Sequence, residues 1–295
     1  MVKKIIQLIK QWLIKFWAPL VIVIIMLSTA ISLTVIMLHK QQITVQIPNL
    51  TLRKQYGING SPISVLKKGE HLQIIEKKEG WYQVRRDDES TGWVAGWLLK
   101  RKTPLKKVTP LSEATVVLDP GHGGSDVGSL SSNGKYEKTY TLQLAKRVKK
   151  ELEKSGTRVI MTRSTDKLVY LANIPKVAEN KHADLFVSFH FDSAPSKNQA
   201  TGYTTYYYHQ NNGSYALAKS VNTAMNLPLT NKGVEFGDFL VIRQNTVPAI
   251  LLESGYMNNK KDFNYIKSKK YQEKVAKAVP IGLQNYLTRQ VTVGQ

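Results

Sequence analysis

The sequence predicts an α/β domain with an open, mostly parallel sheet covered by helices on both faces, preceded by a small all-β barrel and one transmembrane helix. Three observations predict it. An uncharged apolar run lies near the N-terminus, and short β-rich runs divided by turn signals fill residues 43–100. From Thr115 onward, strand-like and helix-like segments alternate.

The apolar run extends from Phe16 to Leu38, FWAPLVIVIIMLSTAISLTVIML. As a helix at 1.5 Å per residue it spans about 35 Å, enough for a hydrocarbon core of ~30 Å. Pro19 falls near its start, where a helix tolerates it best. Lys3, Lys4, Lys10 and Lys15 precede the run, and only His39 and Lys40 follow it directly. The positive-inside rule places the N-terminus in the cytoplasm and everything after Lys40 outside. A cleaved signal peptide competes with this reading, but its apolar core is usually ~7–15 residues long. This run is longer, and no clear A-x-A site follows it. Residues 1–40 are therefore expected as a single-pass anchor. Ser28, Thr29, Ala30 and Ser32 form a small-residue cluster of the kind that lets transmembrane helices approach closely. A membrane-protein regulator is the partner this cluster suggests; an ordinary lipid-facing stretch is the plainer reading.

Residues 41–102 read as the small barrel. Its runs are Ile63–Leu66, His71–Glu76, Trp81–Arg85 and Gly92–Leu99, with turn signals at Lys68-Gly69, Glu79-Gly80 and Ser90–Gly92. The strings LTLR (Leu50–Arg53), LKKGE (Leu66–Glu70), EGWYQV (Glu79–Val84) and TGWVAGWLL (Thr91–Leu99) resemble a bacterial SH3 domain. Members commonly bind peptidoglycan, so the resemblance implies a wall ligand and makes Trp81, Trp93 and Trp97 candidate groove residues. The alternative is that these rings pack the barrel.

Residues 101–114 carry two Pro and four basic residues without periodicity and read as a linker, set at 103–114. The α/β domain follows over 115–290. Its expected order is strand Thr115–Asp119, helix Glu137–Lys154 stopped by Gly156, strand Arg158–Thr162, and a short helical stretch to about His182. Strands Asp184–His190 and Tyr203–Tyr208 come next, then helix Tyr215–Met225, strands Phe239–Ile242 and Pro248–Glu253, and helix Lys269–Leu287.

The formal net charge is +21, spread along the chain. Such an excess points to an anionic partner: nucleic acid, anionic lipid or anionic wall polymers. No nucleic-acid module signature is present, so nucleic acid is set aside. There is no cysteine. Disulfides and thiolate zinc sites are thereby excluded, and any metal must be held by His, Asp and Glu.

In open α/β sheets ligands bind at the carboxyl ends of strands. His122 lies three residues past the first strand in DPGHGG, His190 closes DLFVSFH, and Glu253 closes PAILLE. Glu137 opens the first helix at the same edge. Two histidines and a carboxylate suit a catalytic metal with an open fourth position, and a further carboxylate would handle the water proton. Singly, each has an ordinary explanation: a structural His, a first-turn acid favouring the helix dipole, a partner for a nearby Lys. These residues alone leave the divalent ion open.

The strings LDPGHGGSDVG (Leu118–Gly128), YEKTYTLQLA (Tyr136–Ala145), RVIMTRSTD (Arg158–Asp166), ADLFVSFHFDSA (Ala183–Ala194), TGYTTYYY (Thr201–Tyr208), FLVIR (Phe239–Arg243) and PAILLESGYMNN (Pro248–Asn259) resemble the zinc-dependent N-acetylmuramoyl-L-alanine amidases of the type-3 family. The resemblance implies peptidoglycan as substrate and one Zn2+ per catalytic domain. It makes His122, Glu137 and His190 the ligands and Glu253 the acid/base. Arg243 and Asn173 are candidate substrate contacts. The chain departs from the family at Ile174, where an Arg is usual, and at Ala178-Glu179, where Ala-Asn is usual; the cleft wall is where this would tell. A non-catalytic wall-binding scaffold and a different peptidoglycan zinc hydrolase, a carboxypeptidase or deacetylase, are the alternatives.

Overall fold

The computed structural model describes residues 2–293. Helix α1 (Val2–Gln41) is exposed along its described length and contains Ile14–Thr34, long and apolar enough to cross a membrane. Inside it, the hydroxyls of Ser28 and Thr29 both donate to the Ile25 carbonyl, at 2.9 and 2.7 Å. These groups are satisfied within their own helix.

The barrel is a six-stranded antiparallel sheet in the order β1-β4-β5-β6-β2-β3. Its strands are β1 (Gln42–Thr44), β2 (Leu50–Arg53), β3 (Pro62–Leu66), β4 (His71–Lys78), β5 (Trp81–Arg86) and β6 (Thr91–Ala95). A single turn, α2 (Gly96–Leu99), ends it. Val84, Leu72, Leu52, Leu66 and Val94 close its core. Trp81 and Trp93 are only 3% and 9% exposed and pack this core, so neither ring is offered to an open groove. Burying these large rings is what gives so small a barrel a core.

The connecting stretch is packed against both neighbours. Leu105 and Val108 join the barrel core, while Leu111 and Ala114 join the α/β core, as does Ile58 of the barrel. Arg53 donates to Glu113 at 2.6 Å, with side chains 7% and 2% exposed. The other Glu113 oxygen accepts from the Thr51 N–H at 2.8 Å. Trp97, one of the candidate groove residues, shares its indole N–H between the carbonyls of Ser112 and Gly156, both at 3.0 Å.

The second domain orders its sheet β11-β10-β12-β9-β7-β8, and only the β10–β12 pair is antiparallel. In chain order the elements are β7 (Thr115–Pro120), α3 (Glu137–Lys154), β8 (Arg158–Met161), α4 (Ile174–Asn180), β9 (Leu185–Asp192), β10 (Tyr203–Tyr207), α5 (Ser214–Ala224), β11 (Asn231–Phe236), α6 (Leu240–Arg243), β12 (Ala249–Tyr256), α7 (Lys260–Ile266) and α8 (Lys269–Val293). The central strands read TVVLDP and AILLESGY, nearly continuous apolar runs, as a sheet buried on both faces requires. Leu144, Val148 and Leu152 of α3, Leu217 and Val221 of α5, and Val275, Val279 and Leu283 of α8 pack one face. Ile174 and Ala178 of α4, with Val241 and Ile242 of α6, cover the other over Val117, Phe186 and Leu251.

One expectation of element type fails here, and one strand was not foreseen. FLVIR is a one-turn helix rather than a strand, because Val241 and Ile242 are used to cap the sheet face. The edge strand β11, NKGVEF, is largely exposed and lacks the apolar pattern by which strands are recognised.

Candidate metal centre

The central parallel strands end on one edge, and the site is assembled there. β7 ends at Pro120, and the loop Gly121–Gly128 turns back under β9. A Cβ on Gly121 would overlap the His190 ring, so glycine is what lets the loop lie against that imidazole. His122 itself is left-handed, φ 62°, and its ring lies against that of His190.

Arg163 anchors this loop from beneath. It is 2% exposed and donates to the carbonyls of Pro120 (2.9 Å), Gly121 (2.9 Å) and Lys138 (3.0 Å). Asp119 in turn accepts from the hydroxyls of Thr162 (2.6 Å) and Ser188 (2.7 Å), tying β7 to its neighbours just below the site.

Glu137 opens α3 and is 2% exposed. Its Oε2 lies 3.1 Å from His122 Nε2 and its Oε1 3.2 Å from His190 Nδ1. Each oxygen also accepts a backbone N–H, from Ser129 at 2.8 Å and Phe191 at 3.0 Å. The two imidazole centroids are 4.9 Å apart and edge to face. One donor atom from each of the three residues lies within 4.8 Å of the others, a group able to hold a metal ion. This donor set, two nitrogens and a carboxylate oxygen, is the kind a catalytic zinc takes.

The electrostatics follow from this packing. Burial disfavours charge on Glu137, but the hydrogen bonds and charges of the two histidines overcome it and hold the carboxyl well below the usual range. Burial likewise opposes a proton on His122, yet Glu137 and then Asp126 outweigh it and raise the imidazole to about 9.

Glu253 of β12 sits beside His190 of β9 as its register partner. Its Oε2 is buried with no hydrogen-bond partner. Desolvation, then the charges of Glu137 and Asp192, push this carboxyl well above its usual value. It stands next to the donor cluster without belonging to it.

A cleft of about 220 Å3 opens from His122 and His190 toward Leu168, Tyr170, Ile174 and Val241. Ile174, one of the departures noted in the sequence, does stand in this wall. Asn173 is exposed at the start of α4, and Arg243 is ion-paired with Asp238 at the end of α6; neither lines the cleft. Two contributors escaped the sequence reading: Asp126, which contacts His122 Nδ1, and Arg163. The signal for Asp126 was its spacing, four residues after the His within the same glycine-rich loop.

Comparison with known proteins places this geometry. The model of the N-acetylmuramoyl-L-alanine amidase family matches residues 116–285, and that of the bacterial SH3 domain matches residues 48–100. A probable cell wall amidase LytH of Staphylococcus epidermidis is 39% identical over 231 residues, covering 76% of this chain and 77% of its own length. Its Staphylococcus aureus counterpart is 36% identical over 255 residues, covering 81% and 84%. Among solved structures, an N-acetylmuramoyl-L-alanine amidase from Clostridium difficile 630 superposes with a TM-score of 0.58 at 33% identity, over 59% of this chain and 97% of that one. The catalytic domain of CwlV from Bacillus (Paenibacillus) polymyxa gives 0.57 at 37% identity, over 59% and 98%. The family match spans the α/β domain that carries the His–Glu–His cluster, and on these matches the chain belongs to the N-acetylmuramoyl-L-alanine amidase family, joined to a bacterial SH3 domain.

Proposed function

We propose that this peptidoglycan amidase works with His122, Glu137 and His190 as the ligands of one zinc ion and Glu253 as its acid/base. The observation that carries the division of roles is the pair of carboxylates. Glu137 has both oxygens engaged by histidines and backbone N–H groups, whereas Glu253 keeps a buried oxygen free. The bond cut is the amide between N-acetylmuramic acid and L-alanine of the stem peptide. Zinc, when bound, supplies Lewis acidity toward the carbonyl under attack and toward a water molecule.

The chain's own residues do the rest. Glu253, as carboxylate, accepts the proton of the attacking water; as acid, it returns that proton to the leaving nitrogen. Burial and the neighbouring carboxylates of Glu137 and Asp192 favour holding the proton between those two steps. Asp126 orients the imidazole of His122, and Arg163 fixes the loop that carries it. The apolar cleft wall excludes water from one side.

The scaffold reading and the carboxypeptidase or deacetylase readings are not favoured, because the family model, the relatives and the solved structures matched are N-acetylmuramoyl-L-alanine or cell wall amidases. Digestion of purified wall by the zinc-loaded protein tests this: stem peptides carrying a new L-alanine amino terminus are expected. Release of terminal D-alanine or of acetate instead would overturn it.

We further propose that Ile14–Thr34 is retained as a membrane anchor with the catalytic domain outside, supported by the flanking lysines. Protease added to intact cells should then remove the enzyme domains. A proteinaceous regulator fits this family setting, since the CwlD amidase of Clostridioides difficile was solved in complex with the GerS lipoprotein. Anionic wall polymers are the partner that the net charge of +21 fits.

A further inference from the structure

Three adjacent strands each place one residue in a single row across the catalytic edge. His190 of β9 pairs in register with Glu253 of β12, and Glu253 pairs with Thr204 of β10. Partners directly opposite in an antiparallel pair point to the same face, with Cβ atoms about 4.5–5.5 Å apart. Thr204 therefore flanks Glu253 on the side away from the metal ligands. It is 1% exposed, and its Oγ1 is buried without a hydrogen-bond partner, as is the Oε2 of Glu253. Buried polar atoms are nearly always paired, so two orphans on register partners need an explanation.

Local packing leaves the hydroxyl no other task. β10 is paired on both sides, by β11 and β12, so its carbonyls are taken up by the ladder. On β11 the register partner of Thr204 is Gly233, which has no side chain to offer. Tyr206, two residues along the same face, approaches Thr204 outside hydrogen-bond geometry. The next residue shows the contrast: Thr205, on the α5 side, accepts from Asn222 Nδ2 at 3.2 Å. Strand formation does not require the Thr204 hydroxyl either, since valine has the same β-branched shape. A buried hydroxyl without a partner opposes folding, which points to a use outside the resting fold.

The carboxyl beside it has the complementary shortage. Glu253 is half-buried while its Oε2 is enclosed, so Oε1 is the oxygen left on the open side of the site. No hydrogen bond fixes Oε2, yet a general base must hold its accepting oxygen within about 2.6–3.2 Å of the proton donor it serves. We propose that Thr204 is a positioning residue, whose hydroxyl donates to Oε2 of Glu253 during turnover and so turns Oε1 toward the attacking water. The proposal rests on the reading of Glu253 as acid/base. Side-chain rotation alone brings the two groups together across one strand pair. Oε1 then takes the proton of the water and passes it to the leaving nitrogen, while Oε2 stays on the threonine.

The test uses the full chain in detergent micelles, loaded with zinc, on purified uncrosslinked peptidoglycan strands. Thr204→Val keeps the shape and removes the donor. Its kcat should fall about ten- to a hundredfold, with KM and zinc content unchanged. Thr204→Ser keeps the donor and should return to within about threefold of the parent. The thermal midpoint of Thr204→Val should equal or exceed the parent's, because a hydroxyl without a partner gives the fold nothing that valine lacks. Full turnover by Thr204→Val, with Glu253→Gln inactive, overturns the positioning role and leaves the acid/base reading standing. A lowered midpoint in Thr204→Val, with turnover lost equally in Thr204→Ser, marks a structural side chain and also overturns it. Turnover that survives Glu253→Gln sinks the acid/base reading itself, and the role of Thr204 with it.

Discussion

Asp126 brackets the Nδ1 of His122 with both carboxylate oxygens at 2.9 Å and so turns the Nε2 of that ring toward Glu137. A metal-binding histidine whose other nitrogen is held by a carboxylate has its tautomer and ring plane fixed, and it is the stronger ligand for it. The residue is half in solvent, so its contribution lies in orientation rather than in buried charge. Asp126→Asn keeps the shape and removes the charge. Zinc affinity, measured by competition with a chromophoric chelator, should fall about 10–100-fold. An unchanged affinity would show that the loop alone fixes His122.

Metal uptake should depend on pH in a direction set by His122. Its imidazole is raised to about 9 in the metal-free protein, above the ordinary value of about 6.5. A raised folded value adds stability that is complete below about 6.5 and is lost as pH rises through about 9. Zinc competes with that proton, so apparent affinity should climb with pH up to about 9, by up to tenfold per pH unit if one proton is released, and then level off. Chelator competition between pH 6 and 10 reads this directly. A flat profile over that range would remove the proton from His122.

Glu253→Gln should abolish hydrolysis by a factor of at least 10²–10⁴ and leave zinc bound. The side chain works on protons and its Oε2 has no partner to lose. Folding stability should hold or rise at neutral pH, because a carboxyl raised by burial opposes folding once it ionises. Loss of zinc on this substitution would mean that Glu253 is itself a ligand.

The site was legible in the sequence because strand ends and chemistry coincide. His190 and Glu253 each close an apolar run, and parallel strands bring such ends to one edge whatever the strand order. His122 and Glu137 were legible as a loop His and a first-turn acid on the same edge. Arg163 was not, since nothing in TRSTD distinguishes a buried arginine that ties down carbonyls from one in solvent. The tryptophans mark the opposite limit. Composition shows large rings in a small barrel, but only packing decides that Trp81 and Trp93 face inward and that Trp97 is committed to the junction. FLVIR fails for the same reason, being four or five residues whose class is fixed by the sheet they cover.

The junction between barrel and amidase carries the last prediction. Residues 103–114 have the composition of a free linker, yet Val108 and Leu111 are buried in the cores on either side of them. Arg53 and Glu113 form an ion pair shielded from water, and Glu113 also caps the Thr51 N–H. Removing one partner of such a pair strands the other charge, at a cost of about 3–5 kcal/mol. Glu113→Ala should therefore lower the thermal midpoint by well over 5 °C, since 1 kcal/mol shifts a domain of this size by about 2–4 °C. Because Ile58 of the barrel sits in the amidase core, barrel and amidase should unfold together in the parent chain and separate only in the variant. Calorimetry on the two proteins distinguishes one transition from two. Two transitions already in the parent chain would mean that the packed connector does not couple the domains.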